Sequence, residues 1–339
     1  MKKRNFTVII GLLIFSSHLL AQKVQFSQFY AAPLVLSPSY TGLIDGSRLV
    51  LNYRDQWPNI PGTFTTYAFS YDQYFDRVKS GIGLSIVRDE AGSGNLNLTD
   101  IGLLYSYDIT INRFWHVRPG IKFKYGQRGI EIAKLIFGDQ LQMDSPPTVS
   151  SIDANSFLPK TGYIDVDASA LAYHSRYWGG ITVSNLLRPN QSLVGIDSRL
   201  PIKVTLFGGT RIPIKGNRLR SHEITESVTF SALYQNQDMH DQLDLGAYWK
   251  KVPFTLGLWF RGIPVIGRQD GYEALDAVIV LFGYEIYDLR FGYSYDYTLS
   301  KLNQSSTGGA HEVSIIYEFN KNMKIKRKKR QVTIPCPDF

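Results

Sequence analysis

The sequence is poor in cysteine and in long apolar runs, and both absences limit its fold. It contains a single cysteine, Cys336, so no disulfide can form within the chain. After the first 21 residues, the chain has no run of about 18 apolar residues, the minimum length for a transmembrane helix. If the protein crosses a membrane, it therefore crosses as a closed β-barrel, the other structure that satisfies its backbone polar groups in lipid.

The sequence also lacks the short motifs that mark common enzymes. Its six histidines are scattered, with no pair four residues apart and no HExxH motif, so no zinc site is indicated. Neither a GxSxG nucleophile motif nor a phosphate-binding GxxxxGKS/T motif occurs. We therefore expect a protein that is not an enzyme and that has no catalytic, cofactor-binding or metal-binding residues.

Basic charge is concentrated at the two ends of the chain. The formal net charge is +8, of which residues 2–4 contribute three. Residues 321–339 contribute six, with seven cations against Asp338, so residues 5–320 carry a net charge of −1. A nucleic-acid-binding protein spreads positive charge over a folded surface. The nearly neutral body excludes that class, and no nucleic-acid partner is expected.

The N-terminus has the pattern of an export signal. The cationic residues 2–4 precede an apolar stretch over 6–20, and Ala21 before Gln22 completes an acceptable cleavage site. An uncleaved membrane anchor is the alternative, since about 15 apolar residues approach the length that spans a bilayer. Residues 1–21 are predicted to be a signal peptide, and the mature protein then begins at Gln22.

Alternation of apolar and polar residues dominates the body of the chain. In 288–297 every odd position is apolar or aromatic, and 98–109 and 312–319 have similar patterns. Such strands also fit a soluble antiparallel sandwich. Their length, the tyrosines near their ends and the alternation of short and long turns favour a transmembrane barrel. We predict an all-β fold, a transmembrane antiparallel β-barrel of about 14 strands surrounded by outer-membrane lipid. The predicted strands begin near Ser47, Phe64, Ser80, Leu96, Phe114, Tyr163, Trp178, Ile202, Glu223, Gln242, Phe254, Glu273, Leu289 and Gly309.

The connections between the predicted strands divide into two sets. Those after even-numbered strands are short, and most of those after odd-numbered strands are long, chiefly 129–161, 187–201 and 262–271. Outer-membrane barrels have short periplasmic turns and long outer loops, so the long set is predicted to lie outside the cell. An even number of strands then places both termini in the periplasm.

One barrel domain accounts for most of the chain, with a segment on either side. The barrel is predicted over 47–320. Residues 22–46 precede it, contain Pro33 and Pro38, and are too irregular for a strand. They are predicted to plug the lumen or to pack under the barrel floor. The basic residues 321–339 follow as a periplasmic tail.

Six acids on the polar faces of the strands have two interpretations. They line a wet lumen, as polar residues of a barrel do, or they line a path for cations. The six are Asp100, Asp108, Asp165, Asp167, Asp288 and Asp296.

The C-terminal tail combines charge with apolar groups. A run of like charges is usually a solvated or interaction tail, and a disordered end that keeps the last strand soluble during export is the simpler interpretation. Apolar residues and prolines follow the charges, which favours a peptide that docks on a partner. The candidate residues for binding a periplasmic partner are Lys326, Arg327, Lys328, Lys329, Arg330, Pro335, Cys336, Pro337 and Phe339.

Nine segments, spread over essentially the whole mature chain, carry a family resemblance. They are QFSQFYAAPLVLSPSYTG (25–42), YRDQWP (53–58), FSYD (69–72), GIGLSIVRDEAG (81–92), WGGITVSNLLRPN (178–190), LWFR (258–261), GYSYDYTLS (292–300), GGAHEVSIIYEF (308–319) and the terminal PCPDF. Each is weak alone, but their order and spacing together are specific. The chain resembles the type IX secretion system membrane proteins of the PorP/SprF family, outer-membrane barrels of Bacteroidota. Ser37-Pro38 stands where that family usually has asparagine and proline.

The resemblance implies a secretion component that is not an enzyme. Members of the family either support export and cell-surface attachment of a large adhesin, as in gliding motility, or join a trans-envelope core with periplasmic lipoproteins. Because a barrel of about 14 strands is too narrow to pass a folded adhesin, we hypothesise that the outer loops hold the C-terminal domain of the secreted adhesin after a separate translocon exports it. The tail is expected to meet periplasmic secretion-system proteins. The candidate substrate-binding residues are Gly129, Asp139, Arg188, Asn190, Arg268 and Asp270. The rival function is an outer-membrane transporter of solutes or hydrophobic ligands, favoured by the inward acids and the predicted plug.

Overall fold

The computed structural model describes most of the chain between Gln25 and Phe319. The described residues are 25–44, 46–62, 64–92, 94–112, 114–135, 158–195, 197–216, 224–238, 240–262, 275–299 and 307–319. The predicted signal peptide and the basic tail lie outside the described residues.

The strands form one closed antiparallel sheet. They are β1 (Ser47–Gln56), β2 (Phe64–Phe75), β3 (Ser80–Ala91), β4 (Leu96–Tyr107), β5 (Ile109–Thr110), β6 (His116–Gly129), β7 (Lys160–Tyr173), β8 (Tyr177–Ser184), β9 (Lys203–Gly216), β10 (Ile224–Gln237), β11 (His240–Lys251), β12 (Phe254–Gly262), β13 (Leu275–Ile286), β14 (Leu289–Thr298) and β15 (Ala310–Phe319). The two-residue β5 continues β4 along the edge of β6, so the barrel has fourteen long strands within the described residues. The first strand pairs with the last, with Ser47 opposite Phe319, and this pairing closes the ring.

The predicted all-β transmembrane barrel is confirmed, and the predicted strand starts lie within a few residues of the observed ones. The largest difference occurs at Tyr163, because the strand already begins at Lys160. Lys160 pairs with Gly129 at the far end of β6, so the partner strand extends β7 into a polar sequence that resembles a loop. Strand ends are set here by the length of the neighbouring strand, which periodicity alone does not reveal.

The two faces of the sheet have opposite character. In β4, Ile101 and Leu103 point outward and are 44% and 63% exposed, whereas Asp100 and Leu104 point inward and are 6% and 2% exposed. A soluble sandwich would bury its apolar face and expose its polar one. Here the apolar face is on the outside, which is the arrangement that contact with lipid requires. The fold is therefore a transmembrane barrel and not a soluble sandwich.

Residues 25–44 lie inside this barrel. They form a short helix α1 (Pro33–Leu36) and a 3-10 turn (Pro38–Tyr40). Each begins with a proline, at a position where the absent N–H would have no partner in the helix and where the fixed φ suits the first turn. None of the described helices is long and apolar enough to cross a membrane.

The apolar core of the molecule lies in the lumen, between this segment and the barrel wall. The ring of Phe29 packs edge-on against Trp259 of β12, with 4.7 Å between ring centroids. Tyr40 packs against Phe207 of β9, with 5.4 Å between centroids. All four side chains are at most 4% exposed. The segment thus acts as the core that a wide barrel would otherwise lack.

Two strand glycines make room for the backbone of the segment. A side chain at Gly81 would collide with the carbonyl group of Thr41, and one at Gly120 would collide with the backbone nitrogen of Ser39. A strand approaches another backbone this closely only where no Cβ intervenes. These glycines therefore fix where the segment contacts the wall.

The barrel has two unlike ends. The short-turn end contains the connections 76–79, 108–115, 174–176, 217–223, 252–253 and 287–288. The long-connection end contains 57–63, 92–95, 130–159, 185–202, 238–239, 263–274 and 299–309, of which 92–95 and 238–239 are the short exceptions. Ser47 and Phe319 lie at the short-turn end. The side of the membrane that each end faces stays a prediction.

Candidate functional site in the lumen and at the long-connection end

A cluster of charged side chains holds the start of the segment near the long-connection end. Ser27 Oγ donates a hydrogen bond to Asp296 at 2.6 Å. It accepts hydrogen bonds from Arg54 at 2.6 Å and from Arg261 at 2.9 Å. Glu312 accepts the backbone N–H of Ser27 at 2.7 Å. We call these five residues the Ser27 cluster; each is 6% exposed or less.

The charges of the Ser27 cluster compensate one another. Asp296 lies 2.9 Å from Arg54 and 3.1 Å from Arg261, and Glu312 lies 3.3 Å from Arg54. Because all four ionic groups are buried, loss of any one would unbalance the charges of the cluster in the lumen, which is destabilising. The cluster therefore depends on every member, and it joins β1, β12, β14 and β15 to the segment.

Gln28 fixes the position of the segment relative to β15. Its backbone N–H donates to Glu312 at 3.0 Å, and its side-chain amide donates to the carbonyl oxygen of the same residue at 3.0 Å. The amide oxygen accepts a hydrogen bond from Ser314 at 2.7 Å. A fully buried amide with both its donor and its acceptor satisfied fits one position only. These bonds fix the register of the segment along the lumen.

A second group of contacts holds the other end of the segment at the short-turn end. Arg48 forms a bidentate pair with Asp72, at 3.0 and 3.1 Å. Asp72 also accepts the backbone N–H of Gly42 at 2.7 Å. Arg118 donates to the carbonyl oxygens of Thr41 and Gly42, at 2.7 and 3.1 Å. The segment is thus anchored at both ends of the barrel and runs through the lumen between them.

A third group, on the lumen side of β6 and β7, fixes the start of the long connection 185–202. Lys124 lies 2.8 Å from both Asp165 and Asp167. The two carboxylates in turn accept backbone N–H groups from the connection, Asp167 from Asn185 at 3.0 Å and Asp165 from Leu187 at 3.1 Å. Buried charges thereby hold the base of an exposed loop in one conformation.

Five of the six acids that were predicted to face the lumen do so, and all five have partners. Asp165, Asp167 and Asp296 are paired as described, and Asp100 accepts a hydrogen bond from the Tyr163 hydroxyl at 2.8 Å. Asp108, just after β4, lies 3.1 Å from His116 and 3.8 Å from the buried Arg118. Asp288 is exposed in a turn outside the lumen. Carboxylates that neutralise arginine and lysine hold structure together and do not favour the cation-path interpretation.

Three of the predicted substrate-binding residues are described, and all lie at the long-connection end. Gly129 ends β6, and Arg188 and Asn190 are exposed on the connection after β8. The side-chain oxygen of Asn190 accepts the backbone N–H groups of Ser192 and Ser198, at 3.1 and 3.0 Å. Arg188 therefore has its guanidinium at the surface, whereas Asn190 serves partly to shape its own loop.

The remaining predicted site residues lie outside the described residues. They are Asp139, Arg268 and Asp270 of the long connections, and Lys326, Arg327, Lys328, Lys329, Arg330, Pro335, Cys336, Pro337 and Phe339 of the tail. Their roles stay predictions.

The long-connection end also contains a polar pocket to which the sequence analysis assigned no role. It has a volume of about 640 Å³ and lies between residues 58–62, the turn after β3 and Lys134. Its walls are joined by a backbone hydrogen bond from Gly92 to Gly62, at 3.2 Å. Beside it, hydrogen bonds from Lys134 and Asn95 lower the pKa of Glu131. The stretch of sequence that could have indicated this pocket is PNIPG at 58–62, because its two prolines stiffen the connection between β1 and β2.

The lumen beside the start of the segment retains little space. A cavity lined by Gln25, Phe26, Phe29 and Lys203, among others, has a volume of about 50 Å³, which suffices for a few water molecules. In the part of the chain that the structure describes, no group of three or more His, Cys, Asp or Glu side chains is placed to hold a metal ion.

These features define an outer-membrane β-barrel whose lumen holds its own N-terminal segment. The family described as "Type IX secretion system membrane protein PorP/SprF" matches residues 19–317 of the chain. The chain belongs to this family, and it is an outer-membrane component of the type IX secretion system.

Comparison with known proteins otherwise gives the fold alone. The chain matches no curated protein. Among solved structures, it is similar to the toluene transporter TbuX of Ralstonia pickettii, with a TM-score of 0.50 and 11% identity over 85% of this chain and 94% of that one. The toluene transporter TodX of P. putida gives a TM-score of 0.49 and 10% identity over 85% and 94% of the two chains. Similarity at this level shows a shared barrel architecture, and it does not show which ligand this chain binds.

Proposed function

We propose that the protein supports the export and cell-surface attachment of a large adhesin-type substrate of the type IX system, in gliding motility and adhesion of a Bacteroidota cell. One observation carries this proposal: residues 25–44 occupy the lumen and are anchored at both of its ends. A barrel filled in this way does not conduct a polypeptide. It acts by binding partners at its two ends, and it needs no catalytic group.

The orientation follows from the lengths of the connections. Short turns are periplasmic in outer-membrane barrels, so the short-turn end faces the periplasm and the tail after Phe319 extends there. Gln25, by contrast, donates a hydrogen bond to Asp244 at 3.4 Å in the half of the lumen nearest the long connections. If the signal peptide is cleaved before Gln22, the new N-terminus is only three residues, or about 10 Å, from Gln25. Gln25, the first described residue, lies nearer the outer end, and the side on which the mature N-terminus lies stays a prediction.

The long-connection end is the surface that would hold the C-terminal domain of the adhesin after a separate translocon exports it. The base of the connection 185–202 is fixed by Lys124 and its two aspartates, so Arg188 projects from a preorganised loop. A preorganised loop binds a partner with a smaller loss of entropy. A photoactivatable residue at Arg188 should crosslink to the adhesin domain in cells, and the same residue at Val78, on the opposite end, should not. Equal crosslinking at both positions, or none at Arg188, would count against this surface.

The basic tail would meet an acidic surface on a periplasmic secretion-system protein. Its net charge of +6 and its terminal apolar residues suit a docking peptide. Deletion of 321–339 should abolish recovery of periplasmic partners with the purified protein, and loss of 331–339 alone should weaken it. Unchanged recovery after the full deletion would remove the tail from the proposal.

Membership of the trans-envelope core is the second candidate role, and transport of small or hydrophobic ligands is the third. The toluene transporters among the similar structures make transport worth testing. Transport through the lumen requires that residues 25–44, which are anchored at both of its ends, move aside. Planar-bilayer recordings of the purified protein should therefore lack a stable open current. A steady ohmic current would favour transport.

A further inference from the structure

Exposed apolar side chains project from the turns of the short-turn end. Val78, Val252 and Tyr287 are 60%, 49% and 94% exposed, and each occupies the tip of a turn of two to four residues. The adjoining turns add further exposed apolar groups: Ile111, Phe114, Trp115 and Tyr177. We call these side chains the apolar tips. Aromatic and apolar side chains at the end of a membrane barrel lie at the level of the lipid headgroups.

Exposed cations accompany these tips. Arg77 and Lys79 flank Val78, Arg176 precedes Tyr177, and Lys251 precedes Val252. Within the described turns of this end and their flanking residues, Asp288 is the one exposed acid. We call the four cations the short-turn cations: Arg77, Lys79, Arg176 and Lys251.

Three of the five exposed cations described at the long-connection end have an ion-pair partner, and Lys160 and Arg188 have none among the described residues. At the long-connection end, Arg88 pairs with Glu90 at 2.6 Å, Lys134 pairs with Glu131 at 2.8 Å, and Arg199 pairs with Asp197 at 3.1 Å. No ion pair among the described residues includes a short-turn cation. These four cations are thus available to an anion that lies outside the described residues.

The short-turn cations are spread around the circumference of the barrel. They lie on the turns β2–β3, β7–β8 and β11–β12, which are separated by several strands in each direction around the ring. A single docked protein would contact one side of this end. A lipid leaflet surrounds the barrel and contacts every turn at once, so the spacing fits a leaflet better than a protein partner.

We propose that the short-turn cations bind the phosphate headgroups of anionic phospholipids, while the apolar tips beside them insert among the acyl chains of the same leaflet. A lysine or arginine near an anionic leaflet contributes about 1 kcal/mol, which corresponds to about a fivefold preference for an anionic over a neutral lipid at that position. The neighbouring apolar tip holds the cation at the depth of the phosphates. The proposal concerns the lipid around the barrel and is independent of the secretion role.

The test measures lipid selectivity of the full chain in phosphatidylcholine vesicles by electron paramagnetic resonance. Spin-labelled phosphatidylglycerol and spin-labelled phosphatidylcholine are compared for the fraction immobilised on the protein. The wild-type protein should prefer phosphatidylglycerol, by about fivefold at the cationic positions. A salt concentration of 1 M should reduce this preference, because the screening length of electrostatic interactions then falls to about 3 Å. Reversal of the four short-turn cations, R77E/K79E/R176E/K251E, should abolish it.

The matched control makes the same change in charge at the other end, R88E/K134E/K160E/R199E, and should keep most of the preference because three of these cations are already paired. Heat-modifiable mobility in gels verifies that each variant is folded. If the fourfold variant does not fold, R176Q and K251Q singly should each reduce the preference. An absent preference in the wild type, an unchanged one in the short-turn variants, or an equal loss in the control would overturn the proposal.

Discussion

Replacement of Glu312 by alanine should release the start of the lumen segment without unfolding the barrel. The Glu312 side chain is fully buried and accepts two backbone N–H groups of the segment, at 2.7 and 3.0 Å, as well as Arg54 at 3.3 Å. In the alanine variant these donors lose their acceptor on the barrel wall. Release of the segment lets water satisfy them.

The size of the effect follows from those contacts. A buried donor left without an acceptor costs about 1 to 3 kcal/mol, and a broken buried ion pair costs about 3 to 5 kcal/mol. Arg54 keeps its second partner, Asp296, at 2.9 Å, so the lower part of this range applies. A loss of about 3 to 4 kcal/mol in the anchoring free energy corresponds to about a 10² to 10³-fold increase in the population of the released state.

Hydrogen–deuterium exchange of the segment is the assay, because protection of residues 25–32 reports the closed state directly. Glu318→Ala is the matched control. Glu318 lies on the same strand, faces the lumen, is 5% exposed and pairs with Arg290 at 2.7 Å. It lies opposite Arg48 at the short-turn end, away from the Ser27 cluster. Exchange of 25–32 should accelerate in the Glu312 variant and stay unchanged in the Glu318 variant. Equal exchange in the two variants would refute the role of the Ser27 cluster as the anchor.

Three further substitutions test other parts of the structure. Lys124→Met should remove the cation that contacts both Asp165 and Asp167, cost about 3 to 5 kcal/mol and expose the connection 185–202 to limited proteolysis. Lys134→Met, in an exposed pair, should not have this effect. Gly120→Val should overpack the contact with the segment and lower the unfolding free energy by about 1 to 3 kcal/mol. In the same denaturant titration Gly179→Val should have little effect, because its new Cβ meets only an ordinary van der Waals contact. Ile101→Arg, in the middle of an outward face, should destabilise the barrel in lipid vesicles by about 2 to 4 kcal/mol; a neutral result would contradict the assignment of that face to lipid.

The barrel itself was predictable because the pattern that specifies it is local. Outward positions such as Ile101 and Leu103 alternate with inward polar ones along a single strand, and this alternation is visible in the sequence without knowledge of any partner. The connections were predictable for a related reason, since they are the stretches in which the alternation fails. Strand ends such as Lys160 were missed because the neighbouring strand decides them.

The content of the lumen was not predictable in the same way. The backbone of Ser27 bonds Glu312, 285 residues further along the chain, and the sequence contains no local sign that the two meet. The inward acids were recognised as polar lining, but their cationic partners depend on the register of strands that are distant in sequence. Asp165 with Lys124 is such a pair. The choice between a lumen plug and a segment under the barrel floor therefore had to stay open at the level of the sequence.

The most direct measurement is the set of type IX substrates at the surface of cells that lack this chain. Surface proteins would be labelled, enriched and quantified in the wild type, in the deletion strain and in the deletion strain that carries the restored gene. We expect that one large adhesin disappears from the surface of the deletion strain and returns on restoration, while other substrates of the system are secreted as before. Loss of all substrates together would assign the protein to the secretion core, and an unchanged surface would contradict a role in secretion of the adhesin.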